Sequence, residues 1–411
     1  MHFLLIGLVL LLAGCLSSSK TIRVPLSERH QPSGLNSHFK SNDASSFDDY
    51  QTITRKMIAA ARTDLGGADG ERIIDGNAPF NLKPSETCPP GKDKPYRRGV
   101  LVTHGLTDSP YTVRALGDFF RENCFRVMAI LLPGHGTRPG DLLETTWKDW
   151  VQAERFGVNA LASEVDEVYL SGFSTGGALS VLEGLHDRRV KGLFLFAPAL
   201  RISSLAALGN WHKVYSWASP RARWSDLLED STPFRYESFT FNAIDQIHLL
   251  TKEVRSAFSH RAVTIPVFIA ASEDDTTVST PETVGFFRKA TNPLNRMILY
   301  SAKATPAPDP TGRVEVVNSL FPEQKIISSA HTAIVIPPSD PHYGKEGDYA
   351  NCMHYFGKAP EKYAFCKGKK EDFQGELTDE NLGKWVVRRP MYNPNYDALK
   401  VTLKKFIDTL P

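Results

Sequence analysis

The run Gly172-Phe173-Ser174-Thr175-Gly176 places a serine between two glycines, with the β-rich stretch EVYLS before it and the helix-prone ALSVLEGL after it. A hydroxyl held at such a strand-to-helix turn is strained and exposed, and the flanking glycines remove Cβ clashes. The helix that follows points its first N–H groups to where negative charge would develop. A serine becomes a nucleophile only when a base takes its proton, and the base needs a carboxylate to orient it. Behind such a turn the acid and then the histidine follow, each just past a strand. Glu273, Asp274 and Asp275 stand after the apolar run IPVFIAAS. Asp275 heads the D-x-x-V arrangement ending at Val278 and is preferred to Asp274; the plain alternative is an acidic loop after a strand. Of the later histidines, His331 sits between KIISSA and TAIVIPP, as a loop residue after a last strand should. His342 and His354 lie in polar sequence and read as surface residues.

An oxyanion needs a second N–H donor, and the loop Thr103-His104-Gly105-Leu106-Thr107-Asp108-Ser109-Pro110 can supply it. The Leu106 N–H would pair with that of Thr175. His104 and His135 are in separate turns and read as loop-fixing residues, not metal ligands.

The elements that must position these residues begin at Arg98. Short β-rich runs at 99–105, 125–130, 167–173 and 190–198 alternate with helical spacing at 113–123, 147–164 and 178–187. That alternation predicts an α/β fold, a mostly parallel sheet flanked by helices. The alternation stops over 199–262, which carries Trp211, Tyr215, Trp217, Trp224, Phe234, Tyr236, Phe239 and Phe241. This is read as an inserted helical lid whose rings line an apolar pocket; the plain alternative is a helical excursion that merely packs. Strand pattern returns at 265–272 and 296–301, with turn-rich or irregular excursions over 302–322 and 337–395. A helix over 396–410 is expected to cover the sheet edge.

The chain has 411 residues, with 48 basic against 46 acidic side chains, a formal charge of +2. There is no basic excess to neutralise phosphates, which argues against nucleic acid as a partner. Residues 3–14 (FLLIGLVLLLAG) are too short for a membrane span but suit a signal-peptide core. Leu12-Ala13-Gly14-Cys15 resembles the bacterial lipobox, in which cleavage precedes a cysteine that is then acylated; the n-region Met1-His2 lacks the usual basic residue. The resemblance implies a signal peptide over 1–14, lipid attachment at Cys15, a flexible tether over 15–50 and a domain over 51–411. It also implies an exported lipoprotein of the bacterial cell envelope, at the outer membrane in a Gram-negative cell since Leu16 follows the cysteine. Cys88, Cys124, Cys352 and Cys366 allow three pairings. A Cys352–Cys366 bond is favoured by their closeness in a loop-like segment; the plain alternative for Cys124, in its apolar context, is a buried thiol.

HGLTDSP, LLPGHGTRPGDLLETTWKDW, GFSTGGALS and ASEDDTTV together resemble the bacterial carboxylesterase and monoacylglycerol-lipase branch of the α/β-hydrolases over roughly 98–335. The resemblance implies Ser174, Asp275 and His331 as a triad, Leu106 and Thr175 as oxyanion residues, and ester hydrolysis through an acyl-enzyme without cofactor. Ser272 departs from the family's usual glycine, and the 302–322 excursion and the long tail after His331 are additions. The expected protein is a membrane-anchored serine hydrolase acting on acyl lipids such as monoacylglycerol or lysophospholipid. A thioesterase or peptidase with the same triad, or a non-catalytic lipoprotein scaffold, are the alternatives. Oligomeric state is not legible.

Overall fold

The computed structural model describes residues 24–40, 44, 46–202, 219–303, 311–368 and 372–411. Cys15 and the expected signal peptide lie outside them. An eight-stranded sheet has the order β1-β3-β2-β4-β5-β8-β9-β10. Its strands are β1 (Phe80–Leu82), β2 (Tyr96–Thr103), β3 (Phe125–Ile130), β4 (Val165–Phe173), β5 (Val190–Phe196), β8 (Val267–Ser272), β9 (Arg296–Ser301) and β10 (Val314–Asn318). Only β1 runs antiparallel to its neighbour, pairing Phe80 with Ala129.

Alternate residues of each strand face opposite sides of a sheet. Leu101, Leu170, Leu195 and Ile269 enter one core; Val100, Val102, Phe194 and Phe268 enter the other. Both faces are apolar because both are covered, which is why these strands read as unbroken hydrophobic runs. The helices are α1 (Phe47–Ala61), α2 (Gly70–Asn77), α3 (Arg114–Glu122), α4 (Trp147–Glu164), α5 (Thr175–His186), α6 (Phe241–His260), α7 (Thr280–Lys289), α8 (Pro360–Lys367), α9 (Asp379–Lys384) and α10 (Tyr396–Thr409). Thr146 caps α4 through a reciprocal pairing with Asp149, which fixes that helix's first residue. Phe406 of α10 lies 5.7 Å from the rings of both Phe194 and Phe268, so this helix covers the centre of a sheet face rather than the expected edge. Among the described residues no helix is long and apolar enough to cross a membrane.

Several expectations need correction. Residues 24–40 are not a free tether. Ser33 donates through N and Oγ to Asp141 at 2.6 and 2.9 Å, and the Gly134 N–H donates to Asn36 O at 2.7 Å. These contacts add partners to polar groups of the 133–141 loop, beside the Thr137 Oγ1 bond to Asp141 at 2.6 Å. Within 302–322 only the first part is an excursion: the chain returns to the sheet at β10, as the EVVNSLF run after the turn-rich 302–313 suggests, pairing in parallel with β9 at the edge; residues 304–310 lie outside the described part. The favoured Cys352–Cys366 bond is present, and Cys124 is bonded to Cys88, which sets aside the thiol alternative. His342 is buried, not superficial, with Thr232 Oγ1 2.7 Å from its Nε2 and Asp348 against its Nδ1.

Within 199–262, residues 203–218, with Trp211, Tyr215 and Trp217, lie outside the described part. The rest is a short antiparallel pair, β6 (Trp224–Asp226) and β7 (Phe239–Thr240), followed by α6. Phe234 stacks on Tyr111 at 3.9 Å, and the Tyr236 hydroxyl accepts the Thr137 N–H at 2.8 Å. Those rings hold the segment to the body instead of lining a pocket.

Candidate active site

Ser174 stands between the end of β4 and the start of α5 with φ 54° and ψ −112°. That is a strained backbone for a residue with a Cβ. Its N–H donates to Phe196 O at 2.9 Å and its carbonyl accepts from Ala199 N at 2.9 Å, so the neighbouring strand end holds the turn in place. Both flanking glycines are required by close approach. A Cβ on Gly172 would lie 2.2 Å from the Gly176 carbonyl carbon, and one on Gly176 would lie 2.1 Å from Thr103 O.

Ser174 Oγ is 3.0 Å from His331 Nε2, and His331 Nδ1 is 2.7 Å from Asp275 Oδ2. The three side chains come from positions 101 and 56 residues apart (275 − 174 and 331 − 275). Asp275 Oδ1 accepts the N–H groups of Thr277 (2.8 Å) and Val278 (3.0 Å). The D-x-x-V arrangement is therefore a turn that immobilises the carboxylate. Burial works to raise the Asp275 carboxyl, but His331, the Val278 N–H and Arg389 outweigh it and hold it below the usual range. Its neighbours are engaged elsewhere. Glu273 accepts from Ser301 Oγ at 2.6 Å, and Asp274, pushed up to about 6 chiefly by burial, makes no contact with His331 that matches Asp275's.

The loop after β2 lies against the N-terminus of α5, where Gly176 N donates to His104 O at 3.1 Å. Leu106 and Thr175 both line a cleft of about 260 Å³ that also exposes Ser174 and His331. Thr175 opens α5, so its N–H has no acceptor within the helix. His104 Nδ1 is 2.8 Å from Gly105 O, and its Nε2 accepts the Leu132 N–H at 3.0 Å. Both nitrogens are engaged as a neutral ring would be, and burial, then His135, holds its pKa well below normal. His104 thus fixes the loop, as does His135, whose Nδ1 is 3.0 Å from Pro133 O.

Four further residues at the site carry no signal in the sequence. Glu376 is fully buried; its Oε2 accepts the His331 backbone N–H at 3.0 Å and Arg389 Nη2 at 2.9 Å. Arg389 Nη2 also donates to Thr277 Oγ1 at 2.6 Å. This pair ties the loop bearing the imidazole to the loop bearing its carboxylate. Both members come from 337–395, where β11 (Phe373–Gln374) and β12 (Val387–Arg388) pair in parallel. Glu154 of α4 accepts Thr103 Oγ1 at 2.7 Å and is pushed up to about 8 chiefly by burial, so it is neutral beneath the loop after β2. Arg235 lines the cleft, as does Phe239, the one aromatic of the segment after β5 to do so among the described residues. Ile202, Ile244, Ile247 and Val278 form an aliphatic part of the wall, and Asp108, Thr277 and Thr332 add polar groups to it.

A mostly parallel sheet whose serine sits at the β4–α5 elbow, facing a histidine and a carboxylate from later loops, defines an α/β-hydrolase. The chain belongs to the serine aminopeptidase, S33, family, whose model matches residues 94–303. A thermostable monoacylglycerol lipase of Bacillus sp. (strain H-257) is 31% identical over 109 residues, 26% of this chain and 44% of the lipase. A carboxylesterase of Bacillus subtilis (strain 168) is 24% identical over 191 residues, 44% of this chain and 74% of that protein. Among solved structures, a soluble variant of monoglyceride lipase from Saccharomyces cerevisiae matches with a TM-score of 0.42 at 15% identity, covering 55% of this chain and 82% of that one. The chain thus spans under half the length of the Bacillus lipase.

Proposed function

We propose that this protein is a serine hydrolase that cleaves carboxylic esters of acyl lipids through an acyl-enzyme. The observation that carries the reading is the continuous hydrogen-bond path from Ser174 Oγ through His331 to Asp275 at 3.0 and 2.7 Å. Ser174 attacks the acyl carbonyl while His331 Nε2 takes its proton, and the same nitrogen returns it to the departing alcohol. Asp275 keeps the imidazole in the tautomer whose Nε2 is an acceptor and stabilises the imidazolium. The Leu106 and Thr175 N–H groups stabilise the oxyanion; one such donor is worth about 2.7–4 kcal/mol of barrier. Water then repeats the sequence on the acyl-enzyme.

The aliphatic wall of the cleft supports an acyl chain as the bound group. Arg235 in the cleft lining, with Asp108 3.7 Å from its Nε, leaves little there to hold the cationic amino terminus of an aminopeptidase substrate. The names of the Bacillus relatives point the same way. We further propose that Cys15 is acylated after cleavage and that the chain is a cell-envelope lipoprotein, which would bring the cleft to membrane-borne esters; the lipobox-like run supports this. Release of p-nitrophenol from esters of graded chain length tests the activity. Turnover in the wild type and none in Ser174→Ala is expected; unchanged turnover in Ser174→Ala would refute it.

A further inference from the structure

We propose that the cleft selects acyl esters whose alcohol part carries a phosphate or a carboxylate, and that Arg235 binds that anion. This rests on the ester-hydrolase reading above and names the substrate class within it.

Arg235 and Arg389 both line the cleft with Ser174 and His331, and their side chains are only 13% and 16% exposed. Arg389 is held at close range by a carboxylate: its Nη2 donates to Glu376 at 2.9 Å and to Thr277 Oγ1 at 2.6 Å, and a Glu376 oxygen lies 2.8 Å from its Nε. Arg235 is not. Its closest carboxylate oxygen, Asp108 Oδ1, is 3.7 Å from Nε, beyond hydrogen-bond reach. Among the described residues its hydrogen-bond acceptor is the Met391 sulfur, 3.8 Å from Nη1, and its Nε is buried without a partner.

A guanidinium carries five N–H donors in a fixed fork, and leaving them unmet away from water is costly. Asp108 lines the same cleft, but at 3.7 Å it meets none of the Arg235 donors, and burial raises its carboxyl despite Arg235 and His331. Glu237, the other nearby acid, is already engaged by Tyr349 and by Ser231 Oγ at 3.3 Å. The fork therefore faces the substrate space with donors to spare, in a geometry that matches phosphate or carboxylate oxygens. With Ile202, Phe239, Ile244, Ile247 and Val278 taking the acyl chain, the charged end of the same ester falls to the arginine side. A neutral glycerol head would give those donors far less.

The test compares three esters of one chain length in neutral detergent micelles: 1-acylglycerol, 1-acylglycerol 3-phosphate and the acyl ester of glyceric acid. The wild type is expected to favour an anionic ester by about 10- to 100-fold in kcat/KM. Preference for both anions, or for the phosphate or the carboxylate alone, identifies which group the fork takes. In Arg235→Gln the anionic-to-neutral ratio should fall to about 1, with Arg235→Lys in between. The wild-type preference stands as a test even where a variant does not fold. Ser174-dependent hydrolysis of all three at equal rates overturns this inference and leaves the ester-hydrolase reading intact. Hydrolysis of none, or hydrolysis that survives Ser174→Ala, defeats that reading and this inference with it.

Discussion

The backbone N–H of His331 donates to Glu376 at 3.0 Å, so a carboxylate 45 residues further along the chain holds the loop that presents the imidazole. Arg389 completes the arrangement by reaching from Glu376 to Thr277, two residues past Asp275. The imidazole and its acid are thus held by contacts supplied from outside the residues the family model matches.

Removing that support should cost rate before it costs binding. A displacement of about 1 Å in a reacting group lowers turnover on the order of 100-fold. Glu376→Ala is expected to lower kcat by about 10- to 100-fold with KM changed by under threefold. It should also destabilise the fold by up to about 3–5 kcal/mol, since it strips Arg389 of its carboxylate. Glu376→Gln, which keeps an acceptor for the His331 N–H, should recover most of kcat. Steady-state kinetics with urea unfolding on the same samples separates the two effects.

Asp275 and Asp274 are adjacent yet should respond very differently. Asp275→Asn turns an acceptor of the His331 Nδ1 proton into a group that can force the wrong tautomer, and a loss of about 10⁴-fold in kcat is expected. Asp274→Asn, whose parent carboxyl is already pushed up to about 6, should keep activity within about threefold at neutral pH. Equal losses in both would contradict the assignment.

Glu154 makes a pH-dependent demand on stability. Its carboxyl is raised from 4.5 to about 8 by burial, so between those values the folded state holds a proton that the unfolded state has released. Stability must therefore fall as pH rises from about 4.5 and level off above about 8. Glu154→Gln, neutral at every pH, should gain on the wild type across that window and by nothing below it. Thermal unfolding at pH 4, 6 and 8 reads this directly.

The bond between Cys352 and Cys366 closes a loop beside Asn351, whose carbonyl accepts the Arg389 N–H at 3.1 Å. Loops of this length gain roughly 3 kcal/mol from a disulfide. Replacing both cysteines by serine should lower the urea midpoint and depress kcat through Arg389. Replacing Cys88 and Cys124, on the far side of the site, should change the midpoint alone.

The Ser174 elbow was legible in the sequence because strand, glycine, serine and helix signals are consecutive there, and local sterics demand each of them. The D-x-x-V turn was legible for the same reason: the Val278 N–H and its carboxylate acceptor are three residues apart. Glu376, Arg389 and Arg235 were not, because their contacts span long separations and their neighbouring sequence is polar and aperiodic. Residues 24–40 misled for the same cause. Ser33 and Asn36 look like tether residues until Asp141 and Gly134 are brought beside them. Within 199–262 the aromatics look alike in sequence, yet Phe234 and Tyr236 are claimed by Tyr111 and Thr137 of the body, while Phe239 lines the cleft.

The most direct test of the central claim is covalent. A fluorophosphonate reacts with a serine only where a base activates it and an oxyanion site receives the phosphoryl oxygen. Labelling the wild type and mapping the adduct by peptide mass spectrometry should place one probe on Ser174, with labelling abolished in Ser174→Ala and strongly slowed in His331→Ala. An unlabelled wild-type protein, or an adduct that persists at another residue in Ser174→Ala, would contradict the account.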